Sequence, residues 1–188
     1  MRQRPTCWMT ALLFLFLMSG LCSAQGMTVR FDQNVYFVNG PGEQITAQIL
    51  IDADSSMPGI QPVPVGLFSA GVEMSFDNTK AVVTGAADVV VPPMMNYFGL
   101  SDPALVSIAP PGEVAFHSNV NQLNNPLVHY NGTLLATVTL TNQASAIDAY
   151  PLRLDFSRDL GINEDFFVDG LGGTLDPLIT FIPSRVRV

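Results

Sequence analysis

Apolar and polar residues alternate with a period of two in several segments of this chain, which is the pattern of a β-strand buried on one face. Such a strand has to cover its apolar face with a second layer, so the pattern favours packed sheets over helices. The clearest segments place these apolar residues on one face: Ile45, Ala47, Ile49 and Ile51; Phe68, Ala70, Val72, Met74 and Phe76; Leu134, Ala136, Val138 and Leu140; and Leu152, Leu154 and Phe156.

Turn-forming residues separate the alternating segments. Asn39-Gly40-Pro41-Gly42 precedes the first, Asp77-Asn78 ends the second, and Asn131-Gly132, a strong hairpin signal, precedes the third. Residues 29–38, 80–84, 113–120, 166–169 and 179–188 are predicted as further strands, and the proline-bearing residues 55–64 and 91–112 as long loops. The chain has a single lysine, Lys80, and few helix-favouring runs. We predict an all-β sandwich, with a closed barrel as the alternative.

The first 24 residues have the layout of an export signal. Arg2 and Arg4 precede a short apolar run at residues 11–18, and Ser23-Ala24 supplies the small residues that a signal peptidase recognises. We therefore predict cleavage after Ala24, leaving residues 25–188 as one domain, secreted or held at the cell surface. The apolar run is too short for a comfortable membrane span, so we predict no membrane span after cleavage.

The residue types argue against several classes of function. The net charge is −8, which is the wrong sign for a nucleic-acid-binding surface. Both cysteines, Cys7 and Cys22, lie in the predicted signal peptide, which excludes thiol chemistry from the exported domain. We predict no catalytic residue, no metal and no cofactor. His117 and His129 lack metal-ligand spacing, no Gly-x-Ser-x-Gly motif is present, and the acidic residues of 155–169 lack calcium-loop spacing.

Three blocks of the sequence resemble the cohesin family. Residues 68–85 read FSAGVEMSFDNTKAVVTG, residues 132–141 read GTLLATVTLT, and residues 163–173 read NEDFFVDGLGG before a final Val-rich strand. Their order and spacing match the family across most of residues 27–188. The resemblance implies a nine-stranded jelly-roll β-sandwich. It also implies a non-catalytic module, since cohesins bind dockerin modules and assemble extracellular enzyme complexes.

The resemblance also indicates where a partner would bind. We expect Ser69, Glu73 and Ser75 to point outward from the strand at residues 68–76, as polar contact residues on either side of Gly71. Tyr97 and Phe98, beside Met94-Met95 in the second long loop, are further candidate contacts, because an amphipathic tyrosine on a loop suits a binding surface.

The sequence thus predicts a secreted cohesin-like module with a dockerin-like partner. The first alternative is a carbohydrate-binding module with a polysaccharide ligand. Against it, the only tryptophan, Trp8, lies in the predicted signal peptide, so the exported domain has no indole platform for a sugar. The second alternative is a structural protein of the cell surface.

Overall fold

The structure is a computed structural model, and it describes residues 26–53, 67–95, 104–108, 111–120, 132–145, 147–157, 166–170 and 172–188. The predicted signal peptide lies outside these ranges. The strands within them are β1 (Met27–Phe31), β2 (Val35–Phe37), β3 (Gln44–Ala53), β4 (Leu67–Phe76), β5 (Ala81–Val82), β6 (Val89–Val90), β7 (Leu105–Ser107), β8 (Glu113–Asn119), β9 (Thr133–Asn142), β10 (Ala149–Phe156), β11 (Val168–Asp169), β12 (Ile179–Ile182) and β13 (Ser184–Arg187).

Helix is confined, in these ranges, to two single 3-10 turns at Ala86–Asp88 and Asp176–Leu178. The prediction of an all-β chain is confirmed. No helix of the described residues is long and apolar enough to cross a membrane.

The strands form two sheets around one core. Sheet A has the order β12-β1-β3-β9-β5, with β6 also paired to β9. Sheet B has the order β2-β13-β10-β4-β8-β7, with β11 also paired to β4. The predicted sandwich is confirmed, whereas the predicted count of nine strands is not. Two of the predicted strands, residues 29–38 and 179–188, are each divided into two shorter strands that pair with different neighbours.

Both ends of the domain pass from one sheet to the other. Residues 29–38 and 179–188 were each expected to form one strand, but each is broken in the middle. In sheet A, β1 runs parallel to β12, and in sheet B, β2 runs parallel to β13. Pro183 lies at the second break, where its lack of an N–H suits an interruption of the hydrogen-bond ladder. The end segments therefore join the two sheets along one side of the sandwich.

The core follows the predicted alternation, with one shift. Ile45, Ala47, Ile49 and Ile51 of β3 are all buried, as are Ala70, Val72 and Met74 of β4. In β9 the register against β3 shifts between Ile49 and Leu50. The extra residue brings Leu135 into the core, fully buried, whereas Leu134, predicted to face inward, is only partly buried.

One buried polar network lies where β9 ends and β10 begins. The Asn142 side-chain amide donates hydrogen bonds to the carbonyl oxygens of Gly40 (2.8 Å) and Ala144 (3.2 Å), and its oxygen accepts one from the Tyr150 hydroxyl (3.0 Å). Burial, with a smaller contribution from the charge of Asp148, raises the pKa of Tyr150 to about 12. The network satisfies polar groups that would be costly to bury without partners.

Candidate functional site

The outer face of sheet B carries the predicted contact strand β4 at its centre. The strand registers place Arg153 of β10, Ser75 of β4 and Glu113 of β8 in one row across the sheet. Asp155, Glu73 and Ala115 form the next row. Side chains directly opposite one another in such rows lie about 5 Å apart at their Cβ atoms. The face is therefore a set of ordered rows, and neighbouring rows can contact one partner.

One half of this face is open and acidic. Glu73 and Ser75 are partly exposed, as expected for contact residues, and Asp155 is exposed beside Glu73. Glu113 adds a third carboxylate two residues before Ala115. We call Glu73, Glu113 and Asp155 the carboxylate patch. The negative charge of this patch is complementary to a partner that carries basic side chains.

The other half of the face is covered. Ser69 lies on the predicted face of β4, but only 3% of its surface is exposed, so the expectation that it contacts a partner directly is wrong. Its hydroxyl lies 3.0 Å from Nε2 of His117, which is itself buried on β8. The distance suits a hydrogen bond, but burial keeps substrates away from this serine–histidine pair. It joins two strands of the sheet.

Gly71 allows the cover to approach the sheet. A Cβ atom at this position would lie 2.5 Å from Oγ of Ser157, 2.8 Å from Nδ1 of His117 and 3.2 Å from Cδ1 of Phe166. Only a residue without a side chain fits beneath these three groups. Glycine at position 71 is thus required for close packing at the edge of the candidate site.

Phe166 is held over the sheet from two directions. Its ring stacks on Phe156 with centroids 5.4 Å apart. The carboxylate of Asp176 accepts hydrogen bonds from the backbone N–H of Phe166 (3.0 Å) and of Phe167 (2.7 Å). Because Asp176 begins the second 3-10 turn, this turn fixes the cover in place.

The structure describes only part of the second long loop, which carries the remaining candidate contacts. Tyr97 and Phe98 lie outside the described residues, so their role as contacts stays a prediction. Next to them, Met94 is exposed, whereas Met95 is fully buried and belongs to the core. Of these two methionines, only Met94 is therefore accessible at the surface.

The open face also contains basic residues that the sequence analysis missed. Arg185 and Arg187 project outward from β13, since Val186 between them is fully buried. Arg187 lies opposite Phe37 of β2, whose side chain is 74% exposed. The alternation Arg185-Val186-Arg187-Val188 was the available signal, but the break at Pro183 hid which face it belonged to.

No metal site emerges from the part of the chain that the structure describes. These residues contain no group of three or more His, Cys, Asp or Glu side chains arranged to hold an ion. The three carboxylates of the carboxylate patch are spread over three neighbouring strands, β10, β4 and β8.

Neither the family models nor the curated proteins give a match to this chain. Solved structures do match. The sixth cohesin of Acetivibrio cellulolyticus scaffoldin B, solved with a Cel5 dockerin, superimposes with a TM-score of 0.59. The match covers 87% of this chain and 99% of that one at 11% identity. The chain has the cohesin fold.

Two further cohesins agree with this assignment. The Clostridium thermocellum cohesin Coh-OlpA, solved with the dockerin Doc918, matches 86% of this chain and 98% of its own at 8% identity and a TM-score of 0.59. CaCohA2 of Clostridium acetobutylicum matches 88% of this chain and 94% of its own, at 16% identity and a TM-score of 0.54. The predicted cohesin-type sandwich is confirmed, and the cohesin fold is retained here at very low sequence identity.

Proposed function

We propose that this chain is an exported, non-catalytic binding module that captures a dockerin-type protein through the outer face of sheet B. The observation that carries the proposal is the open half of that face, on a fold whose solved relatives were determined in complex with dockerins. The open half is built on paired strands and carries the polar side chains Glu73, Ser75, Glu113 and Asp155. A rigid platform of this kind binds a partner with little loss of conformational entropy.

Glu73, Ser75, Glu113 and Asp155 are the proposed contacts on the open half. Together with Arg153 they supply hydrogen-bond donors and acceptors in adjacent rows. The carboxylates favour a partner that brings basic side chains, which would speed association and exclude acidic competitors. Ser69 supports the strand from below and does not take part in the contact.

The area of the face is consistent with a protein partner. Five strands side by side, from β2 to β8, span about 20 Å at the usual spacing of neighbouring strands. A stable interface buries about 800 Å² on each side, which requires most of such a face. Export by the predicted signal at residues 1–24 would place this surface outside the cell, where a secreted partner could reach it.

The proposal is tested by capture from the secreted proteins of the source organism, with the exported chain immobilised, in calcium and in chelator. Dockerins bind calcium in EF-hand-like loops, so a dockerin-type partner should be recovered only with calcium. We expect Ser75→Arg to abolish its recovery, because a long charged side chain would stand in the middle of the contact. The matched control is Thr46→Arg, on an exposed position of sheet A.

Two results would overturn the proposal. One is the absence of any calcium-dependent protein from the captured fraction. The other is equal recovery by the Ser75→Arg variant and the unaltered chain, which would move the contact away from this face.

A further inference from the structure

Three arginines lie together on one side of the outer face of sheet B. Arg185 and Arg187 project from β13, and Arg185 lies opposite Pro151 of β10. Arg153 follows two residues after Pro151 on the same face, diagonal to Arg185. The Cα atoms of neighbouring arginines in this group are about 7 Å apart, along a strand or diagonally across two strands. We call Arg153, Arg185 and Arg187, with Phe37, the arginine patch.

These arginines differ from the other described basic residues of the chain. Arg30 pairs with Asp52, and Lys80 pairs with Asp148 at 2.7 Å. Arg153, Arg185 and Arg187 are all exposed and form no ion pair with a described residue. The protein has twice as many acidic residues as basic ones, 16 against 8. A group of basic side chains that has no ion-pair partner among the described residues, in so acidic a chain, is therefore available to bind an anion from outside.

The patch also has an apolar part. Phe37 lies opposite Arg187 and is 74% exposed, and Pro151 is exposed beside Arg185. Ile147, just before β10 begins, is 99% exposed. Arginine with an aromatic residue is the composition of protein interfaces, whereas a purely ionic ligand would gain nothing from these apolar groups.

We propose that the arginine patch binds an acidic segment of a protein, one in which carboxylates flank an apolar side chain that packs on Phe37. This inference rests on the proposed function, because the patch continues directly into the carboxylate patch on the same face. A partner covering both must bring basic groups to one side and acidic groups to the other. The opposite charges would then fix one docking orientation, since the reversed orientation brings like charges together.

The test uses a synthetic peptide, acetyl-Glu-Glu-Leu-Glu-Glu-Phe-Glu-Glu-amide labelled with fluorescein, and measures its binding to the exported protein by fluorescence anisotropy. We expect saturable binding that weakens with added salt. We expect Arg187→Gln to weaken it about tenfold, because a charge-assisted hydrogen bond is lost. The control Arg30→Gln changes the net charge equally, on an arginine that is already paired, and should change affinity less than about twofold.

Two further binding measurements distinguish an acidic peptide from other possible ligands. A peptide with Gln in place of every Glu should not bind. Polygalacturonate is the polysaccharide probe, and stronger binding of this probe at the same arginines would overturn the proposal. Equal loss of peptide binding in Arg187→Gln and Arg30→Gln would also overturn it, because only total charge would then matter.

Capture of the secreted partner, measured on the same variants, distinguishes the two proposals. If the peptide does not bind but calcium-dependent capture persists, the proposal for the arginine patch alone is refuted. Capture that fails while the peptide still binds at Arg187 would refute the dockerin-type partner and leave an acidic protein segment as the ligand.

Discussion

The Ser69 hydroxyl and Nε2 of His117 lie 3.0 Å apart, on neighbouring strands beneath the outer surface of sheet B. This contact lies in the covered part of the outer face, whereas Glu73 and Ser75 of the same strand lie in the open part, although all of β4 has the same alternating pattern. It follows that two serines of one strand, Ser69 and Ser75, have different roles.

Replacing each of these serines should therefore affect a different property. Ser69→Ala removes a hydrogen-bond partner of buried His117, and we expect it to lower the free energy of unfolding by about 1–3 kcal/mol. Partner capture should be unchanged. Ser75→Arg should abolish capture with little loss of stability. Urea denaturation and capture, measured on both variants, check this; loss of capture by Ser69→Ala in a folded protein would contradict it.

Gly71→Ala should destabilise the domain. The new methyl group would lie well inside contact distance of Ser157, His117 and Phe166, so the cover has to move away from the sheet. Overpacking of this kind costs about 1–3 kcal/mol. Gly85→Ala is the matched control, because its backbone is extended and nothing lies within 4 Å of the added atom. Equal urea midpoints for the two variants would disprove the close approach at Gly71.

Asp176→Asn should loosen the cover. One of the two carboxylate oxygens that accept the N–H groups of Phe166 and Phe167 becomes an amide donor, and the remaining bond loses its charge. We expect a loss of about 1–3 kcal/mol and faster hydrogen exchange at these two amides. Exchange is measured by NMR on the labelled protein, with the amides of β3 as the internal reference. Unchanged exchange at Phe166 and Phe167 would show that other contacts hold the segment.

The domain should lose stability at alkaline pH. Tyrosine in an unfolded chain ionises near pH 10, whereas burial raises the pKa of Tyr150 to about 12 and, together with the hydrogen bond to Asp32, raises the pKa of Tyr36 as well. Between pH 10 and 12 the folded state holds more protons than the unfolded state. The stability from these groups is thus fully present below pH 10 and falls as pH rises.

Tyr150→Phe tests this assignment. The variant should be less stable at neutral pH by about 1 kcal/mol, since the Asn142 oxygen loses a hydrogen bond. Its stability should fall less steeply above pH 10 than that of the unaltered chain, because one group no longer ionises on unfolding. Thermal unfolding by circular dichroism, with tyrosinate absorbance recorded in parallel, provides both measurements. Identical alkaline profiles would exclude Tyr150 as a source of the effect.

The alternation of residues was sufficient to predict which side of a strand faces the core. Ile45 to Ile51 and Ala70 to Met74 face inward as expected, because burying the wrong face would cost far more than any local preference. The same pattern could not show that Ser69 is covered. On the same half of the face, Phe166 closes over Gly71 and is held by Asp176, about a hundred residues later in the chain, and such distant packing leaves no local signal.

The strand breaks were missed for a related reason. Residues 29–38 and 179–188 contain enough β-branched and aromatic residues to be continuous strands. Their division depends on the pairing of the two ends with each other, in sheet A before the break and in sheet B after it. The candidate site was consequently predicted on β4 alone, while the arginines of β13, which reach the same face only after the crossing, were overlooked.

The parallel pairing of the first and last strands also determines when this domain can fold. Met27 lies beside Ile179, and Phe37 beside Arg187, so residues from opposite ends of the described domain pair directly. Contacts so distant in the chain carry a large loop-closure cost and are associated with slow folding. Until residues 179–187 are available, one edge of each sheet stays incomplete, and a nascent chain has exposed strands that invite association with other chains.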